Sequence, residues 1–470
     1  MNCRTAGEAP MGASLCAFIR MDREEKMMLK PWDHGRLQVS PNQKNLVNGE
    51  APFFWLGDTA WNLFQRLDLN EAYVYLRNRK EKGFNVIQAV LINYAHEGNK
   101  RSLQHVENED VLQVIRADNK PYWDHVETIV DMAAELGIYF ALLPVWGRVV
   151  KEGYLNTDNV APYADYLTRV FGRKKNIIWL LGGDIRGDLH EGLWNTLGTT
   201  LKSVMPDTLV GYHPFGRTSS SYWFSDCDWL DFHMFQSGHR RYDQNWLKSW
   251  DDATAQEPWF GEDNWRYVVQ DRMKTPRKPV VDGEPSYEQI PQGLHNPSEP
   301  YWQAHHVRRY AYWSVLSGSM GHTYGHNAIF QFNKDGYQPE FGSNVTWEEA
   351  LHASGGSQMQ ILKSLMLEID FVHGDAMQEL LHTKESGGEK EHKVLVFGNS
   401  RNIVCYTYSG RPFTIRIPDA GNRMYQAYWI DPVNGSRSYL GQVSSSEAVE
   451  FVPPPKDTDF TDWLLHLKEE

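Results

Sequence analysis

The chain has 470 residues and a formal net charge of −13 at pH 7. This length exceeds that of a typical single domain and predicts one large domain with a smaller one. The acidic balance argues against binding to nucleic acid or to an anionic membrane surface. No stretch approaches 18 consecutive apolar residues, so the sequence predicts no transmembrane helix.

The N-terminus and the cysteines bear on where the protein works. The apolar run 12–19 behind the lone Arg4 is short for a secretory signal. We therefore expect residues 1–30 to be a disordered extension and the protein to be cytoplasmic, with secretion as the alternative. The widely spaced cysteines form no C-x-x-C pair and indicate neither a zinc site nor a disulfide framework; they are Cys3, Cys16, Cys227 and Cys405.

The predicted elements begin with a hairpin formed by RLQVS (36–40) and KNLVNG (44–49). Strands and helices then alternate. One helix is expected to begin at Asn70 and end at Gly83, and the apolar spacing over 126–133 predicts another that ends at Gly137. Eight apolar segments can form strands: 53–57, 84–92, 138–146, 177–181, 208–213, 229–235, 279–283 and 320–325.

These segments predict an α/β fold. Strands that are apolar on both faces and separated by amphipathic helices are typical of a parallel sheet with helices outside. Eight such units favour a closed (β/α)8 TIM barrel over residues 31–372, with the hairpin at its start.

After residue 372 the pattern changes to short strands separated by Gly, Pro, Asn and Ser, with a strong turn signal at 431–435. This predicts a small antiparallel β-sandwich domain over 375–470. We expect this domain to support the barrel, with Tyr406, Tyr428 and Trp429 packed against it.

Two carboxylates follow separate predicted strands. Val280 and Val281 end one strand, and Glu284 follows the break at Gly283; NIIWLLGGD ends another strand and leads to Asp184 in the same way. The C-terminal end of the strands is where a barrel holds its chemistry, and two such carboxylates are what cleavage of a glycosidic bond requires. The alternative is that each carboxylate caps a loop or pairs with a neighbour such as Arg186.

Polar and aromatic side chains follow the other predicted strands. Their common location at strand ends suggests a sugar site, which combines ring stacking with many hydroxyl partners. The candidate substrate-binding residues are Asp58, Trp61, Asn93, His96, Trp146, His213, His233, Gln236, His322 and Tyr324.

The sequence gives little support for a metal site or a phosphate-binding loop. His322 and His326 would lie about 13 Å apart in an extended segment, which is too far to share a metal ion. The sequence contains no H-E-x-x-H zinc motif and no G-x-x-x-x-G-K-[ST] phosphate-binding loop. We therefore predict no metal and no cofactor.

Five motifs in order resemble the apiosidase-like barrel family, glycoside hydrolase family 140 and its relatives, over about residues 37–372. They are PFFWLGDTAW (52–61), GFNVIQAVL (83–91), WLLGGD (179–184), DGEPSYE (282–288) and GHTYG (321–325). The tail resembles the small β domain often attached to this barrel, which carries a collagen-binding label. Nothing in these residues supports peptidase chemistry.

The resemblance implies a retaining glycoside hydrolase in which Asp184 is the acid/base and Glu284 the nucleophile. The activity implied is release of apiose-linked units from plant pectic side chains. Asp184 stands where most related retaining barrels carry Glu, and Gly182-Gly183 would permit the closer approach that a shorter side chain needs. The alternatives are another exo-glycosidase, on an arabinoside or mannoside, and a catalytically silent carbohydrate-binding protein.

The proposed roles predict opposite charge states. Glu284 has to be ionised to attack, and Asp184 has to hold a proton to donate it. We expect the charge of Glu284, together with burial behind Trp179, to raise the pKa of Asp184.

Overall fold

A computed structural model describes residues 29–93, 115, 119–244, 261–383, 390–417, 423–445, 448–457 and 460–470. The expected extension lies, up to residue 28, outside these ranges. Three short strands come first: β1 (Leu37–Val39), β2 (Leu46–Asn48) and β3 (Ala51–Phe53). They pair antiparallel in that order, so the predicted hairpin is confirmed and continues into a third strand.

Each of the eight predicted segments overlaps a strand of the structure. These strands are β4 (Trp55–Thr59), β5 (Val86–Val90), β6 (Tyr139–Leu143), β7 (Ile177–Gly182), β8 (Val210–His213), β10 (His233–Gln236), β11 (Val280–Asp282) and β12 (Gly321–Tyr324).

The strands form a curled parallel sheet and a smaller second sheet. Six of them pair in the order β12-β4-β5-β6-β7-β8, while β10 and β11 pair parallel beside the antiparallel β9 (Thr218–Ser219). Backbone hydrogen bonds join the two sheets on both sides. Asp231 N donates to Val210 O at 2.8 Å, and Met320 N donates to Val280 O at 2.9 Å.

Helices follow most of the strands. They are α1 (Leu63–Arg66), α2 (Leu69–Glu81), α3 (Lys120–Glu135), α4 (Gly147–Lys151), α5 (Val160–Phe171), α6 (Glu191–Val204), α7 (Ser221–Phe224), α8 (Asn264–Arg272), α9 (Ala304–Leu316), α10 (Asn327–Phe330), α11 (Trp347–Ala350) and α12 (Ser354–Glu368). In the described part of the chain, no helix is both long and apolar enough to cross a membrane.

The cap of α2 differs from the prediction. Asp68, not Asn70, caps the helix, because its extended backbone lets the carboxylate accept from the amides of Asn70 and Glu71 while Glu71 reaches back. The predicted ends are confirmed: Gly83 and Gly137 follow α2 and α3 with φ of 83° and 71°.

Alternate residues of each parallel strand enter two different apolar cores. In β6, Tyr139, Ala141 and Leu143 pack inside the curled sheet, while Phe140 and Leu142 pack against the helices. This period of two follows from strand geometry. It decides which strand-end side chains can reach the inner face of the sheet.

The C-terminal residues form antiparallel sheets. The larger sheet has the order β13-β14-β15-β20-β17-β18, and β16 pairs with β19 in a second. The strands are β13 (Asp375–Ala376), β14 (Val394–Gly398), β15 (Asn402–Thr407), β16 (Phe413–Arg416), β17 (Met424–Ile430), β18 (Arg437–Ser444), β19 (Ala448–Phe451) and β20 (Trp463–Glu469). The sequence predicts five of these strands, β14 to β17 and β19, but not the short β13, β18 or the central β20.

The strands β14, β15 and β20 of the larger C-terminal sheet are buried on both faces, whereas the edge strand β18 is mostly exposed. One face packs with residues of β16 and β19, and the other packs on α9 and α12. Tyr406 stacks on Tyr312 of α9 with ring centroids 4.6 Å apart, which confirms that expectation. The expectation for Trp429 is wrong. Trp429 points into the domain's own core, and Tyr428 lies against Tyr439.

A buried ion pair joins the two parts of the chain. Arg308 of α9 donates from Nε and Nη2 to the two carboxylate oxygens of Asp462, at 3.0 and 2.8 Å. The side chains are only 3% and 1% exposed. Tyr406 adds a hydrogen bond to Asp462 at 3.0 Å, so the carboxylate is held by both parts.

We predict that Asp462→Ala lowers the free energy of unfolding by about 3–5 kcal/mol, because it leaves the Arg308 guanidinium buried without its counter-charge. Denaturant unfolding measures the change. Glu81→Ala is the control: it removes an exposed pair with Arg77 and should cost less than about 1 kcal/mol. Similar small losses in both variants would contradict the importance of this contact.

Candidate active site

Glu284 stands just beyond the end of β11. The amide of Gly283 donates to Phe235 O at 2.8 Å, and Gly238 N donates to Glu284 O at 3.1 Å, so the segment is tied to β10 and its following loop. A Cβ at position 283 would lie 2.3 Å from the Met234 sulfur. A larger residue at this position would therefore force the buried Met234 side chain to move.

Three side chains hold the Glu284 carboxylate. Nε2 of His213 lies 3.2 Å from one oxygen and Nε2 of His239 lies 3.2 Å from the other. The hydroxyl of Tyr287 forms a further hydrogen bond to it. An ionised carboxylate only accepts, so the hydrogen bond between His239 and Glu284 requires a proton on Nε2 of His239. His213 lies at ion-pair distance from the other oxygen.

The charge state of Glu284 follows from these contacts. The carboxyl group is only 7% exposed, and burial alone would raise its pKa. The contacts of His213 and His239 with the carboxylate overcome this effect and lower the pKa of Glu284 to about 2. Glu284 is therefore ionised at neutral pH.

Asp184 reaches the same site through an unusual backbone. Gly182, Gly183 and Asp184 all have positive φ, at 89°, 96° and 56°. A Cβ on Gly182 would lie 2.3 Å from His213 O, so the two glycines turn the chain where a side chain would not fit. Arg186, the alternative partner, instead pairs with Asp188 at 2.8 Å.

The environment of Asp184 favours its protonated form. Burial and the nearby charge of Glu284 raise its pKa to about 6, against the opposing effects of His213, Lys151 and a hydrogen bond from Gln236. The expected rise is thus present, but Trp179 does not cause it. Trp179 faces the helices and packs against Phe171.

An aromatic wall stands beside the carboxylates. The ring of Trp61 lies 5.2 Å from that of Trp146 and meets His213 edge-on at 5.1 Å. Trp61 also donates from its indole nitrogen to the Tyr287 hydroxyl at 3.0 Å. The structure therefore brings together Asp184, Glu284, Trp61, Trp146, His213 and Gln236 of the predicted residues.

Four other predicted residues point away from this site. Asp58 is buried in an ion pair with Arg79 at 2.5 Å, and Tyr324 donates to Glu288 at 2.6 Å. His322 lies 3.3 Å from the Ser314 hydroxyl of α9. His233 is fully buried and lies on the same strand face as Phe235, which packs on Tyr267 of α8.

Strand parity explains these four positions. Successive side chains of a strand point to opposite faces, so Thr59 and Thr323 can face inwards only if Asp58, His322 and Tyr324 face the helices. The same alternation places Met234 and Gln236 inside and His233 outside. Position near a strand end was therefore insufficient to predict a place in the site.

The remaining positions are less central. Asn93 donates to Asn62 at 2.7 Å, and His96 lies outside the described residues. His326 caps α10 by accepting from Ala328 N. Among the residues that the structure describes, no group of three His, Cys, Asp or Glu side chains could hold a metal ion.

Sequence reasoning missed His239 and Tyr287, which both contact Glu284. Each stands three residues beyond a strand end or a catalytic candidate: His239 follows Gln236, and Tyr287 follows Glu284. Extending the search from the strand ends into the next few loop residues would have included both.

Comparison with known families gives two matches. The model described as "Apiosidase-like, catalytic domain" matches residues 40–373. The model described as "Putative collagen-binding domain of a collagenase" matches residues 377–468. A comparison with curated proteins gives no significant match.

Solved structures resemble the chain over nearly its whole length. One, described as a glycoside hydrolase, is 35% identical with a TM-score of 0.84, and the match covers 94% of this chain and 99% of the other. Another, a glycoside hydrolase family 5 protein from Bacteroides vulgatus, is 36% identical with a TM-score of 0.81, and the match covers 94% of each chain.

We predict that Glu284→Gln lowers the pKa of Asp184, because it removes the negative charge that disfavours a second anion. Carboxyl ¹³C NMR titration of Asp184 measures the shift. Glu288→Gln is the control, since that carboxylate is turned towards Tyr324 and its loss should leave Asp184 unchanged. An Asp184 pKa that does not fall in Glu284→Gln would mean that the two carboxyl groups do not interact.

Proposed function

The chain belongs to the apiosidase-like family of glycoside hydrolases, and we propose that it cleaves its substrate with retention of configuration, with Glu284 as nucleophile and Asp184 as acid/base. The observation that supports these roles is the divergence of the two pKa values, about 2 for Glu284 and about 6 for Asp184. Two neighbouring carboxyl groups whose pKa values differ in this way suit the roles of nucleophile and proton donor.

The reaction would proceed in two steps. In the first, the Glu284 carboxylate bonds to the anomeric carbon while Asp184 gives its proton to the departing glycosidic oxygen. In the second, the Asp184 carboxylate takes a proton from water, and the resulting hydroxyl displaces Glu284 from the sugar. The second step restores the starting protonation of both groups.

Retention requires carboxyl groups about 5–5.5 Å apart, whereas inversion requires about 6.5–9.5 Å. The charge of Glu284 is the second largest cause of the raised Asp184 pKa. This interaction supports a shared site for the two carboxyl groups, and the configuration of the released sugar distinguishes retention from inversion.

We also propose that the two parallel sheets close into one (β/α)8 barrel. The hydrogen bonds that join β8 to the segment before β10, and β11 to the segment before β12, support closure on both sides. Asp184, His213 and Glu284 would then share the C-terminal end of the barrel strands, where barrel enzymes hold their chemistry.

The proposed substrate is an apiose-containing plant pectic oligosaccharide. The family description names an apiosidase-like domain, and the resemblance of the five motifs implies the pectic side chain. The aromatic wall of Trp61 and Trp146, with Gln236 beside Asp184, provides a stacking surface and a hydrogen-bonding group for a sugar. An arabinoside- or mannoside-cleaving exo-enzyme is the alternative. Comparing hydrolysis of aryl apiosides, arabinosides and mannosides discriminates between them, and a silent binding protein would hydrolyse none.

We predict that Glu284→Ala and Asp184→Ala lose activity differently. Glu284→Ala should lose several orders of magnitude on every substrate, because no nucleophile remains. Asp184→Ala should lose far less on an aryl glycoside with an acidic phenol, since that leaving group needs no proton. Steady-state kinetics on the two substrate types measure this.

The matched control is Asp188→Ala, which removes a carboxylate four positions along the same loop that pairs with Arg186. Its activity should stay close to that of the parent. Equal losses on both substrate types in Asp184→Ala would contradict its role as proton donor.

Activity should fall as pH rises through about 6, because Asp184 then loses the proton that it donates. The acidic limb, set by Glu284, should lie near pH 2, so kcat/KM should stay nearly constant from pH 4 to 5. The pH dependence of kcat/KM measures both limbs of the coupled pair. A rise in kcat/KM between pH 5 and 7 would refute the assignment.

A further inference from the structure

A short loop carries His239 to the nucleophile. Residues 237–239, the positioning loop, follow β10 and are tied at several points. Gly238 N donates to Glu284 O at 3.1 Å, and Ser286 Oγ donates to Gly238 O at 2.8 Å. The indole of Trp302 donates to His239 O at 3.1 Å. These bonds fix the loop's later part against the Glu284 segment.

Asp282 holds the beginning of this loop. It is the last residue of β11 and is fully buried. Its Oδ2 accepts from the Ser237 hydroxyl at 2.7 Å and from Asn264 of α8 at 3.3 Å. Its Oδ1 faces the amide of Ser237 at 3.4 Å. Burial raises the pKa of Asp282 to about 7, and a buried carboxyl group with such hydrogen bonds is costly to disturb.

The two imidazoles beside Glu284 are supported differently. His213 belongs to β8, and its backbone pairs with Gly182 of β7. His239 lies in a loop, and its Nδ1 has no hydrogen-bond partner among the described residues. Apart from an edge-on contact with Tyr287 at 4.8 Å, the orientation of the His239 ring depends on the backbone of the positioning loop.

We infer that Asp282 and Ser237 are a positioning pair that holds His239 in its hydrogen bond to Glu284. Asp282 stands two residues before Glu284, so its bond to Ser237 joins the chain segment of the nucleophile to the segment of its imidazole donor. The inference rests on the proposed function, in which Glu284 reacts as an anion. Neither residue touches the substrate.

The test is Ser237→Ala, which removes the hydroxyl but keeps the backbone. The Glu284 pKa, followed by carboxyl ¹³C NMR titration, should rise as the His239 bond loosens. kcat/KM at pH 5 should fall about tenfold, the value expected for one weakened hydrogen bond to a charged group. The loss should fall on kcat with KM little changed, and Ser237→Thr, which keeps a hydroxyl, should restore the parent values.

A chemically similar pair provides the control. Asp271 is also buried and accepts from the hydroxyls of Ser219 and Ser221, each at 2.6 Å. Ser221→Ala therefore removes a serine–aspartate bond of the same kind that does not lead to His239. It should leave the pKa of Glu284 unchanged.

A double-mutant cycle shows whether the pair acts through the imidazole. In a His239→Ala background, Ser237→Ala should cause no further rise in the Glu284 pKa. A Glu284 pKa that is unchanged in Ser237→Ala, or that rises equally in Ser221→Ala or in the His239→Ala background, overturns the inference. The NMR titration does not require the protein to hydrolyse a substrate. If the parent protein hydrolysed no glycoside, that result would therefore contradict the proposed function and leave the test of the positioning pair intact.

Discussion

The contacts of the His213 and His239 imidazoles with the Glu284 carboxylate are the interaction on which the site depends. A carboxylate excluded from water would ordinarily take up a proton, because the protein interior solvates a charge poorly. Two imidazole donors and the Tyr287 hydroxyl reverse this outcome for Glu284. The negative charge so retained acts on Asp184, whose proton is held by the same charge. One set of hydrogen bonds thus determines both protonation states.

The fold delivers these groups from different parts of the chain. Asp184 follows β7, His213 ends β8, His239 follows β10 and Glu284 follows β11. Glycines at 182 and 183 allow the backbone segments to approach closely. The C-terminal sheet covers α9 and α12 on the outside, and the Arg308–Asp462 pair joins it to that helix layer. The C-terminal sheet therefore packs on the helices, whereas the site is assembled from residues of the first part of the chain.

The sequence predicted the elements better than the directions of their side chains. Apolar runs bounded by glycine and polar residues located all eight strands, because a strand buried on both faces has few alternatives. Burial on both faces also makes the direction of each side chain hard to predict. When apolar residues occupy both faces of a strand, the sequence does not indicate whether Asp58 or Thr59 faces inwards. Asp184 and Glu284 escaped this ambiguity because glycines redirect the chain beyond their strands.

Loop residues and the last strand were harder to predict for other reasons. His239 lies in the positioning loop, which contacts Asp282 through Ser237 and Trp302 through the His239 carbonyl. Both partners are distant in sequence, and no local pattern encodes these contacts. The segment WLLHLKE of β20 has no turn residue after it and reads as readily as a helix, but pairing with β15 and β17 makes it a central strand. Tertiary context decided both cases.

A neutron crystal structure at pH 5 would test the central claim most directly, because it locates the protons themselves. The account predicts deuterium on Asp184, none on Glu284, and deuterium on Nε2 of both His213 and His239 pointing at the Glu284 oxygens. Deuterium on Glu284, or an imidazole that presents an unprotonated Nε2 to it, would contradict the account.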